Sequence, residues 1–95
     1  MNELTCYYGL KELYGEELFT DETSLEITKL ILLAISFGYI VEVDFKEIKS
    51  VKNEWLTNSF GLIIKEKGYA FLIKNVKLLN LSEGIKAIVA ESIAV

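Results

Sequence analysis

The sequence predicts an α+β domain: an antiparallel β-sheet with a C-terminal helix packed across it. Three observations predict it. Leu62-Ile63-Ile64 and Tyr69-Ala70-Phe71-Leu72-Ile73 flank Lys65-Glu66-Lys67-Gly68, the pattern of a β-hairpin over residues 61–75 in which Gly68 supplies a positive φ to a tight turn. Tyr39, Val41, Val43 and Phe45 alternate with Glu42, Asp44 and Lys46, as a half-buried strand requires. Ile85, Ile88, Val89, Ser92 and Ile93 recur at helical spacing behind Ser82, a capping residue, and Glu83, which suits the positive end of a helix over 83–94.

The elements follow in order. Leu10, Leu13, Tyr14 and Leu18 form a helical stripe weakened by Gly15; alternatively the same stretch is an irregular first strand entering at Thr5–Tyr8. Residues 24–37 fit two descriptions. As a helix they have a capping box in Thr23 and Glu26, and Gly38 as a left-handed stop. As a strand they carry Leu25, Ile27, Ile31, Leu33, Ile35 and Phe37 on odd positions, and the β-branched Ile27, Thr28, Ile31 and Ile35 favour that reading. At Phe45, Ile48 and Val51 the period changes to three, so the strand ends or bulges near Lys46. Residues 53–59 read as the most polar loop, although it contains Trp55 and Leu56.

The chain has 95 residues, enough for a single domain spanning 1–95. Hydrophobic residues make up 52% of it and charged residues 25%, with a mean hydropathy of +0.33. Such a chain is too apolar to be a disordered tail, and the apolar excess favours self-association. Fourteen acidic residues against ten lysines give a formal charge of −4, which repels phosphate backbones, and without arginine there is no bidentate reading of bases or phosphates. Nucleic acid is therefore not an expected partner. Leu30–Val43, the most apolar run, is shorter than the ~20 residues of a membrane span. Without a basic, Leu-rich leader at the N-terminus, a cytoplasmic location is expected.

The order of strands, hairpin and single C-terminal amphipathic helix resembles a pleckstrin-homology-like domain of the GRAM type. The stretches that carry the resemblance are SLEITKLILLAISFGYIVEVDFKEIKSV, GLIIKEKGYAFLIKNV and SEGIKAIVAESI, within residues 24–94. It implies a non-enzymatic module that binds lipid head groups or proteins, with phosphates held by loops near strand ends.

No enzyme is expected. Histidine is absent and Cys6 is the one cysteine, so neither a Cys–His nucleophile nor an intramolecular disulfide can form. The glycines stand singly, not as a phosphate-cradling loop. Glu42 and Asp44 point the same way from one strand, but a solvated polar face accounts for them; the acidic run 16–22 is a weak hard-cation candidate. No cofactor and no metal is expected. Candidate head-group ligands are Lys46, Lys49 and Lys52 on one turn and Lys65 and Lys67 at the hairpin tip, diluted by Glu47, Glu54 and Glu66. Candidate interface residues are Trp55, Leu56 and Phe60, as loop anchors or as a plug over the sheet edge, and Ala87, Ala90 and Ala94 on the smooth side of the last helix.

The function expected is a small non-catalytic interaction module, binding a partner protein or itself as a homodimer. The alternatives are a lipid head-group module, which would bring in a membrane surface through the lysine turn, and a small inhibitor encoded by a virus or phage.

Overall fold

The computed structural model of the chain describes residues 4–15 and 20–93. Strand β1 (Thr5–Gly9) leads into a short helix α1 (Leu10–Tyr14) and the long helix α2 (Asp21–Ser36), followed by β2 (Ile40–Asp44). After a loop come α3 (Asn53–Leu56), a π-helical turn (Thr57–Gly61), α4 (Leu62–Lys67) and α5 (Tyr69–Asn75). Strand β3 (Val76–Leu79) and helix α6 (Glu83–Ile93) complete the described chain.

Residues 24–36 are helical and Phe37 is the C-cap, which settles the alternative the sequence leaves open. The helix starts three residues earlier than the Thr23–Glu26 box. Thr20 Oγ1 accepts from the Thr23 N–H at 3.2 Å, and Thr23 Oγ1 accepts from the Thr20 N–H at 3.2 Å. Gly38 stops it at φ 90°, its N–H donating to the Ile35 carbonyl at 2.9 Å. The β-branched residues that favour a strand instead lie on the helix's buried face: Ile27 and Ile31 are fully enclosed and Thr28 nearly so. Burial outweighs their modest local preference. Ser24 and Thr28 are also buried, and both hydroxyls are satisfied by donating back to the helix, to the Asp21 and Ser24 carbonyls.

The hairpin expected over 61–75 is absent, because both of its arms are helical. The reason lies upstream. Trp55, Leu56, Ser59, Phe60 and Ile63 are all buried at spacings of three to five, so one helical stripe runs through the supposed polar loop into α4. Gly68 does adopt a positive φ, 96°, but it separates two helices: its N–H closes α4 on the Ile64 carbonyl at 2.7 Å. Trp55 packs edge-on against Phe60 with ring centroids 6.2 Å apart, and its indole N–H donates to Thr23 Oγ1 at 3.0 Å. Phe45, Ile48 and Val51 are buried as well and seat the loop after β2 on this core.

The sheet is parallel, not antiparallel. Its order is β1-β2-β3, with Cys6 beside Val41 and Val41 beside Val76. A pleckstrin-homology-like arrangement is thereby excluded, and so is a C-terminal helix packed across an antiparallel sheet; α6 makes its main contacts with α3 and the π-helical turn. Parallel neighbours need crossovers, and crossovers are right-handed. Because the strand order never reverses, both crossovers fall on the same side. The side chains of Cys6, Tyr8, Val41, Val43, Val76 and Leu78 face that helical layer. No described helix packs on the opposite face.

Candidate interaction surface

Strand alternation places Thr5, Tyr7, Ile40, Glu42, Asp44, Lys77 and Leu79 on the uncovered face. Tyr7 and Lys77 are exposed, and Ile40, Glu42 and Leu79 are half-buried. Register aligns Tyr7, Glu42 and Lys77 in one row across the three strands.

At the carboxyl end of this face Asp44 is buried at 6% exposure, which corrects its reading as part of a solvated polar face. The hydroxyl of Tyr7 donates to Asp44 Oδ2. Oδ1 accepts from the Lys46 N–H and from Asn80 Nδ2, both at 2.8 Å. One carboxylate therefore ties the middle of β1 to the residues that follow β2 and β3. Burial opposes its ionisation, but the hydrogen bonds from Tyr7, Asn80 and Lys46 prevail and hold it below the usual aspartate range. The same hydrogen bond to Asp44, aided by the nearby carboxylates of Glu12 and Glu42, pushes the Tyr7 phenol up to about 12. A Cβ at Gly9 would stand 1.8 Å from Glu12 Oε2, the far end of an exposed side chain that can swing aside. The exposed Lys11–Glu47 pair, at 2.7 Å, ties α1 to the loop beyond β2.

Trp55, Leu56 and Phe60 are core residues and present nothing to a partner; Trp55 lies on a helix and its indole closes against α2, not over a sheet edge. Ala87 and Ala90 are exposed on α6, and Ala94 lies outside the described residues, as do residues 16–19 of the acidic run. The lysines do not converge. Lys46 neighbours Asp44, while Lys49 sits in the loop after it, exposed. Lys52 and Lys65 line two grooves beside the start of α2, and Lys67 lines another at its far end with Ile35 and Phe71. Lys65 and Lys67 lie on α4 and not on a hairpin tip.

Among the described residues no group of three or more His, Cys, Asp or Glu side chains is arranged to hold a metal ion, and no helix is long and apolar enough to cross a membrane. Tyr7, Asp44 and Asn80 were not legible as a unit, since 37 and 36 residues separate the hydrogen-bonded pairs.

The sequence model of a STAS-like domain of unknown function (DUF4325) matches residues 26–86, more than half of the chain. It runs from α2 through the first turn of α6, and it overturns the GRAM-type resemblance drawn from element order alone. No curated protein matches the chain, and no solved structure does.

Proposed function

The chain belongs to the family of STAS-like domains of unknown function (DUF4325), and from that premise we propose that it is a non-catalytic interaction module which binds a protein, itself or another, on its open sheet face. The observation that carries the reading is a parallel sheet with the described helices on one side only. Parallel sheets are ordinarily buried on both faces, and this one leaves Tyr7, Ile40, Glu42, Lys77 and Leu79 in reach of a partner. The reading also takes the protein to be cytoplasmic, where the unpaired, half-buried Cys6 stays reduced.

Photo-crosslinking in the native host tests it. Benzoylphenylalanine in place of Thr5 or Lys77, on the open face, is expected to give protein adducts. The same probe in place of Glu54 or Glu91, exposed on the helical side, is expected to give none. Adducts from the helical side alone, or from no position, reject the reading.

A further inference from the structure

We propose that the occupant of the open sheet face is a second copy of this chain, related by a two-fold axis parallel to the strands; this rests on the interaction-module reading above. The ground is the charge pattern of one row. Glu42 and Lys77 are register neighbours on β2 and β3. Neither forms an ion pair within the chain among the described residues. Around Tyr7, at the other end of the row, the carboxylates of Asp44, Glu12 and Glu42 concentrate negative charge. The face is thus acidic on its β1–β2 side and cationic at β3. A two-fold axis parallel to the strands and midway between β2 and β3 sets Glu42 against the partner's Lys77 and Lys77 against the partner's Glu42, so the pair is complementary to itself. Sheets stacked at ~10 Å bring glutamate and lysine side chains of facing strands into contact. The half-buried Ile40 and Leu79 lie on the same face, beside the charged row.

The footprint sets the strength. The two overlapping strands, spaced ~4.8 Å apart with five residues rising ~3.3 Å each, cover roughly 160 Å² per copy, against about 800 Å² in a stable complex. The dimer is accordingly weak and concentration-dependent, and salt weakens it further.

Sedimentation and NMR dilution of the full chain up to millimolar concentration test the assignment by charge reversal. Glu42→Lys and Lys77→Glu, each alone, are expected to raise the dimer Kd about tenfold or more, because each sets like charges across the axis. An equimolar mixture of the two variants is expected to recover a heterodimer within about threefold of the wild-type Kd. Ala90→Glu, on the exposed side of α6, is expected to change nothing. Backbone amide spectra establish that each variant is folded. A wild type that stays monomeric throughout, a mixture that fails to recover, or a dimer sensitive to Ala90→Glu and not to charge reversal each overturns the second-copy assignment. Crosslinks from Thr5 or Lys77 to a different protein, together with a monomeric wild type, would leave the interaction module standing and reject only the second copy.

Discussion

Asp44 is a buried carboxylate whose three hydrogen-bond donors come from β1, from the loop after β2 and from the residue after β3. Replacing it by alanine strips partners from Tyr7, Asn80 and the Lys46 amide, and a cost of about 1–3 kcal/mol is expected in urea unfolding at pH 7. The pH dependence has a definite sign. A carboxylate held below its unfolded value of about 3.9 contributes stability above that pH and loses it as the pH falls through the folded value. The gap in unfolding midpoint between wild type and Asp44→Asn should therefore close in acid; a gap unchanged at pH 2 contradicts the charge-assisted node. For Tyr7 the sign is reversed. Its phenol is raised to about 12 from an unfolded value of about 10, so its contribution is complete below pH 10 and disappears as the pH rises through 12. Absorbance at 295 nm should show Tyr7→Phe removing a late-titrating phenol and not one that titrates near pH 10.

At the level of elements, much of the local punctuation could be read in advance, and less of the period. Gly38 and Gly68 both carry the positive φ that their positions demand. Yet a glycine at positive φ ends a helix as readily as it turns a hairpin, and short apolar runs such as Leu62–Ile64 suit either element. What decides is the stripe Trp55, Leu56, Phe60 and Ile63, whose phase passes through a π-helical turn and is obscured by the polar Asn53, Glu54, Thr57 and Asn58. The Glu42–Asp44 strand was legible because exposure on one face keeps its alternation. Asp44's hydrogen-bond partners were not, since they arise from crossovers that no local pattern encodes. Two substitutions probe the helical run. Phe60→Ala empties a fully enclosed site against Trp55 and Phe45 and should cost about 3–5 kcal/mol in chemical denaturation, enough to unfold much of the population of so small a domain. Gly68→Ala meets no neighbour within 4 Å, so its penalty is backbone strain alone, about 1–2 kcal/mol. Were the segment a hairpin, Phe60→Ala would weigh no more than a loop change.

For the molecule as a whole, the unreversed strand order has a consequence at the sheet edge as well as on its face. The Ile40 N–H donates to the Leu4 carbonyl at 2.8 Å, so Leu4, Cys6 and Tyr8 turn their backbone groups toward β2. Thr5 and Tyr7 therefore turn theirs outward, where no described strand pairs with them. That edge bears no charged side chain from Thr5 to Gly9, and charge is the usual guard against edge-to-edge pairing. Two modes of self-association are thus distinguishable by amide exchange. Stacking through the open face covers side chains and leaves the outward amides of Thr5 and Tyr7 in water. Edge pairing through β1 would bury those two amides in new hydrogen bonds. With Glu42 and Lys77 at the contact, the Tyr7 amide is expected to exchange at the same rate in dilute and concentrated samples, while Val43, in the central strand, is slow in both. Protection of Tyr7 that grows with concentration would move the contact from the face to the edge of β1.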